Sequence, residues 1–152
     1  MHMGIWLGLG LLFYIFFLRQ ESPPPELISD ANGVNGIELK RSQDGHFYID
    51  GKIQGKRVRF LIDTGASIVS IQQSLALHMG LNCDRISTFS TANGQVKGCT
   101  TRVATLSFGP FQIENANVVI LPNLGGKALL GMNALQRVHI EQKGDRLRLF
   151  NP

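Results

Sequence analysis

The sequence predicts an all-β domain, a small barrel or sandwich with one short helix, and three observations carry that expectation. Apolar runs from Gly45 onward are short and alternate with polar residues, as half-buried strands do. Gly, Pro and Asn punctuate them at close spacing, with Asn93-Gly94 as the strongest two-residue hairpin signal, because both positions of such a turn favour positive φ. Within the domain, Gln73 to Met79 is the one stretch read as a helix of more than a single turn, and Gly80 stops it.

Composition bounds the rest. A chain of 152 residues with 43% hydrophobic content has room for one folded core and is not disordered as a whole. Its 15 basic and 11 acidic residues give a net charge of +4, but the cations are scattered through strand-like segments. Lys56-Arg57-Val58-Arg59 is the one dense patch, without interleaved aromatics, so nucleic acid is not an expected partner.

Three segments are expected. Residues 3–18 are apolar and uncharged on every face, a span of about 24 Å as a helix, and read as an uncleaved transmembrane signal anchor rather than a buried helix or a signal peptide. Arg19 alone weakly favours a cytoplasmic side for the residues after the anchor. Residues 19–42 are polar and turn-rich, and Pro23-Pro24-Pro25 favours an extended tether. Residues 43–152 form the folded domain.

Within it, 46–53 and 56–62 read as a hairpin, with Val58, Phe60 and Ile62 on one face and Arg57 and Arg59 on the other. A returning strand comes next over 67–71, then the helix. Strands over 86–92 and 95–108 flank Asn93-Gly94 as a protruding hairpin; Gly109-Pro110 turns the chain into a strand over 111–121. A loop at 122–127, a short strand at 128–131, one helical turn at 133–136, and a hairpin of 138–142 with 146–150 complete the domain.

Cys83 and Cys99 either form a disulfide, in an oxidising compartment, or remain two small buried hydrophobes. With His78 and His139 they show no zinc-type spacing, so neither metal nor organic cofactor is expected.

The chemistry concentrates at Asp63-Thr64-Gly65-Ala66-Ser67, directly after Phe60-Leu61-Ile62. A strand that delivers a carboxylate onto a tight turn presents an acid at a fixed point, which water activation requires. The second element is Leu129-Leu130-Gly131. Together with the hairpin Thr91-Ala92-Asn93-Gly94, these residues resemble a retropepsin-like clan AA aspartic protease, and more closely its membrane-anchored bacterial type, over roughly Gly45 to Phe150.

The resemblance implies an aspartic endopeptidase that hydrolyses peptides with a water held between two aspartates. One chain has one such turn, so it implies a homodimer, with Asp63 and its symmetry mate as the dyad. By the same resemblance Thr64 ties the two turns together, Gly65 allows close backbone approach, Ala66 completes the turn, and Ser67 hydrogen-bonds Asp63. The hairpin 91–94 is implied to be a flap over the substrate, and Leu129, Leu130 and Gly131 to pack beneath the turn. The chain departs from viral enzymes in its polar flap tip, in Met132 where they carry arginine and in Ile68 where they carry an acid, which removes an inter-subunit ion pair. An inner-membrane location with the protease domain in the periplasm is the implied setting. The rival readings are a non-catalytic membrane-anchored peptide-binding or self-association domain, and a subunit that pairs with a different aspartate-bearing chain.

Overall fold

The computed structural model describes residues 24–30, 33–91 and 94–152. Among the described residues, eleven strands and two short helices succeed one another in chain order: β1 (Glu26–Asp30), β2 (Gly33–Lys40), β3 (Tyr48–Ile53), β4 (Lys56–Ile62), β5 (Val69–Gln72), α1 (Gln73–Met79), β6 (Arg85–Thr91), β7 (Gly94–Phe108), β8 (Phe111–Leu121), β9 (Ala128–Leu130), α2 (Met132–Leu135), β10 (His139–Lys143) and β11 (Arg146–Phe150).

Seven strands pair in the order β3-β4-β9-β5-β8-β7-β6, and β3 also pairs with the far end of β7. That extra pairing, Gly51↔Phe108 to Ile53↔Leu106, closes six of them into a barrel and removes its open edges. The alternation read in β4 holds as far as Phe60, with Val58 and Phe60 buried and Arg57 and Arg59 exposed; beyond it Leu61 is buried as well and Ile62 is half-buried, where the strand enters between its neighbours. The interior is filled by Ile49, Ile53, Phe60, Val103, Leu106, Phe108 and Leu130, each at most 2% exposed. Burying one such side chain stabilises the fold by about 1.5–3 kcal/mol.

A second, antiparallel sheet of order β1-β2-β11-β10 lies against this barrel. Ile37, Leu39, Leu147 and Leu149 are buried and join the same core. Glu38, from the alternate set of β2, is flanked by Arg146 and by Arg148 Nε at 2.6 Å. These strands correct the extended tether expected over 19–42. The run Gly33 to Lys40 is rich in turn formers, yet its apolar residues Ile37 and Leu39 alternate, and pairing with β1 on one side and β11 on the other gives the backbone its partners.

The expected single-pass membrane location is also corrected. Among the described residues no helix is long and apolar enough to cross a membrane. The two helices have seven and four residues, about 10 Å and 6 Å of rise, against a hydrocarbon core of about 30 Å. The segment 3–18, on which the expectation rested, lies outside the described residues.

The hairpin shifts by one position. Register pairs Thr91 with Gly94, so the two intervening residues are Ala92 and Asn93, both outside the described residues, rather than Asn93 and Gly94. Gly94 has φ +104°, which its missing side chain permits, and it closes the ladder. Cys83 and Cys99 form a disulfide, resolving the two alternatives the sequence left open.

Candidate active site

Asp63 stands where β4 ends. Its position is set from beneath: β4 runs parallel to β9, pairing Ile62 with Leu130, and the Asp63 N–H donates to the Leu130 carbonyl at 3.1 Å. The chain then turns tightly. The Ala66 N–H donates to the Asp63 carbonyl at 3.2 Å, and the Gly65 N–H donates to Asp63 Oδ1 at 2.9 Å. An Asp side chain that accepts from the backbone two residues on is an Asx turn, a local reason for this sequence to bend here. Asp63 is half-buried, Thr64, Gly65 and Ser67 are exposed, and Ala66 is half-buried.

The turn is fixed a second time by the segment after β9. The Met132 N–H donates to the Ala66 carbonyl at 2.8 Å and the Asn133 N–H to the Ser67 carbonyl at 3.0 Å. Gly131 makes this approach possible. A Cβ there would stand 2.5 Å from the Ile68 carbonyl carbon, 2.7 Å from its oxygen and 2.8 Å from the Ala66 oxygen. Leu130 is fully buried and Leu129 partly so. The structure thus brings 63–67 and 129–131, far apart in sequence, into one unit.

Asn133 was missed by sequence reasoning. Its Oδ1 accepts the Val69 N–H at 2.8 Å and its Nδ2 donates to the Asn117 carbonyl at 2.9 Å, tying the exit of the turn to β8 and α2. A short amide two positions after Gly131 was the available signal. The hydrogen bond suggested from Ser67 to Asp63 is not formed in the single chain; Ser67 engages the site through its carbonyl.

The hairpin is a separate body. β7 pairs with β8 only from Cys99↔Ile120 onward, so 94–98 have ladder partners in β6 alone, although Gly98 is still buried against Ile120 and Leu121 of β8. Thr91 Oγ1 donates to the Gly94 carbonyl at 2.8 Å at its end. Among the described residues no group of three or more His, Cys, Asp or Glu is placed to hold a metal ion.

Such an arrangement can present one carboxylate, braced by backbone donors, on an exposed turn. Comparison with known proteins fits this geometry. The profile of a family described as "gag-polyprotein putative aspartyl protease" matches residues 49–137. An uncharacterized protein encoded in the cobV 5' region of a Sinorhizobium species is 31% identical over 130 residues, covering 81% of this chain and 55% of that protein. An uncharacterized protein of Rickettsia prowazekii (strain Madrid E) is 32% identical over 109 residues, covering 68% and 46%. The chain therefore spans about half the length of the curated relatives it matches. The crystal structure of a retropepsin-like aspartic protease from Rickettsia conorii superposes with a TM-score of 0.66 at 28% identity, over 76% of this chain and 99% of that one.

Proposed function

We propose, because this chain belongs to the retropepsin-like gag-polyprotein aspartyl protease family, that it is an aspartic endopeptidase acting as a homodimer on peptide or protein substrates. The observation that carries the reading is the braced turn: one carboxylate, at the end of a buried strand, on a face where Thr64, Gly65 and Ser67 are exposed.

One carboxylate cannot be both base and acid in the same step. Two such turns meeting at a two-fold axis supply the pair, and the exposed Thr64-Gly65 edge is the surface on which they would meet. Like charges held close share a proton, so the ionised partner takes a proton from water while the protonated partner donates to the peptide carbonyl. Water oxygen attacks the carbonyl carbon, the tetrahedral intermediate collapses, and the C–N bond breaks as the nitrogen is protonated. The titration belongs to the pair, and the rate falls as both groups ionise, so activity lies on the acid side. Asp63 Oδ1 already accepts from Gly65, which orients the carboxylate and leaves Oδ2 for the water and the shared proton. The β6–β7 hairpin acts as the flap, adding strand-like contacts to an extended peptide.

The test is cleavage of a mixed peptide library by the purified protein across pH 4 to 9, beside Asp63→Asn. Cleavage lost in the variant, with specific activity that drops on dilution, supports a dimeric aspartic protease. A folded dimer that cleaves nothing would point to the peptide-binding reading; a rate rising steadily to pH 9 would also refute the dyad.

A further inference from the structure

The disulfide occupies a particular mechanical position. Cys99 is the first β7 residue paired with β8, so it marks where the strand leaves the barrel and becomes the free arm. Cys83 lies in the connection between α1 and β6, 16 positions earlier. Beside it the Asp84 N–H donates to the Thr100 carbonyl at 3.2 Å, and the Arg102 N–H donates to Asp84 Oδ2 at 2.9 Å. The covalent bond and two exposed hydrogen bonds therefore clamp the root of β6 onto β7. Gly98 still lies against Ile120 and Leu121 of β8, and beyond it the arm is paired only through its own ladder.

The bond is also reachable. Cys83 is exposed while Cys99 is buried, so an incoming thiolate reaches the Cys83 sulfur; both cysteines line an open groove of about 510 Å³ together with Leu77, Leu81, Ile86 and Ile120. Leu77 and Ile86 are 70% and 72% exposed, so no part of the described chain covers its rim. Solvent-exposed disulfides exchange with thiols far more readily than buried ones.

We propose that the Cys83–Cys99 disulfide is a reducible latch at the root of the β6–β7 arm, which sets how firmly the arm closes on substrate. This rests on reading that arm as the flap. A small dithiol reductant supplies the two electrons and two protons: its thiolate attacks one sulfur, the Sγ–Sγ bond breaks through a mixed disulfide, and the products are two cysteine thiols and the oxidised reductant. The barrel keeps its closure because the β3–β4 and β3–β7 ladders lie away from the bond and the β7–β8 ladder, which Cys99 begins, continues without it to Phe108↔Phe111. The freed arm opens more often, and substrate is held less tightly.

The experiment is hydrogen exchange read by mass spectrometry on the full chain, with and without dithiothreitol, thiols being counted by mass, alongside peptide cleavage. Reduction should raise exchange at 85–91 and 94–98 at least about tenfold while 49–53 and 103–108 stay protected. It should also raise KM several-fold with a smaller change in kcat. The double variant Cys83→Ser/Cys99→Ser should behave like the reduced protein and no longer respond to dithiothreitol. Unchanged arm exchange with both thiols free would overturn the latch. So would barrel strands that lose protection together with the arm, because the bond would then be a staple of the whole fold. Absence of cleavage in both states would refute the protease reading and with it the effect on substrate, while arm exchange would still decide the latch.

Discussion

The Asp63 turn and the β6–β7 arm are built on opposite plans. Residues 63–69 have six hydrogen bonds within the turn or to 130–133, two of them through side chains: Asp63 to Leu130, Gly65 to Asp63 Oδ1, Ala66 to Asp63, Met132 to Ala66, Asn133 to Ser67, and Val69 to Asn133 Oδ1. Residues 85–91 and 94–98 have a two-stranded ladder and mostly exposed side chains. A two-stranded ribbon alone is marginal in water. The difference teaches where this fold spends its order: the group that would do chemistry is over-determined, and the element that would clamp substrate is left compliant.

Substitution at Asp63 separates chemistry from structure most sharply. Asp63→Asn keeps an oxygen acceptor for the Gly65 N–H, so the turn should persist, with stability within about 0.5 kcal/mol of the parent by urea titration. Peptide cleavage should fall by about 10²- to 10⁴-fold, the usual contribution of a positioned acid or base. Full activity in this variant would sink the protease reading.

Gly131→Ala probes the brace beneath the same turn. The added methyl meets backbone atoms of Ile68 and Ala66, which cannot rotate away, and overpacking of this kind costs about 1–3 kcal/mol. Activity should fall further than stability alone accounts for, because the displaced atoms belong to the turn. Equal stability of the variant and the parent would show that the turn is softer than its hydrogen bonds imply.

Legibility in the sequence divides along similar lines. Asp63-Thr64-Gly65 and Leu129-Leu130-Gly131 were readable because close approach and tight turning demand particular residue types, glycine above all. The strand β4 and helix α1 were readable from alternation and a stop glycine, and both have the expected bounds. The strands β1 and β2 were not. Asn and Gly at 32, 33, 35 and 36 outweigh two alternating apolar residues, and pairing with β1 and with the distant β11 decides that Gly33 to Lys40 is a strand. Gly36 shows the hidden constraint, since a Cβ there would lie 2.6 Å from the Leu149 carbonyl oxygen. Asn133 was missed for the same reason: both of its partners, Val69 and Asn117, come from other strands.

Asn133→Ala should therefore leave the Val69 N–H and the Asn117 carbonyl without their partner, at a cost of about 1–3 kcal/mol. On the arm, Gly94→Ala meets no atom within 4 Å, and its cost is confined to the strain of φ +104°. That strain should be released by local fraying and lower global stability by about 1 kcal/mol or less. Urea midpoints of the two variants check the ranking, and a larger loss from Gly94→Ala would invert the comparison.

The smallest effect is expected from Glu38, on the four-stranded sheet that shares no ladder with either region. Hydrogen bonds from Arg148 and then Arg146 hold its carboxyl below the ordinary value of 4.5, with partial desolvation opposing them. A depressed folded-state pKa contributes stability that is present above the ordinary carboxylate value and lost as pH falls through the folded one. Glu38→Gln should accordingly flatten the decline in urea midpoint between pH 7 and pH 3, and leave hydrogen exchange at 85–98 unchanged. Loss of arm protection in this variant would mean that the outer sheet transmits strain through the shared core, and the contrast between a braced turn and an independent arm would have to be redrawn.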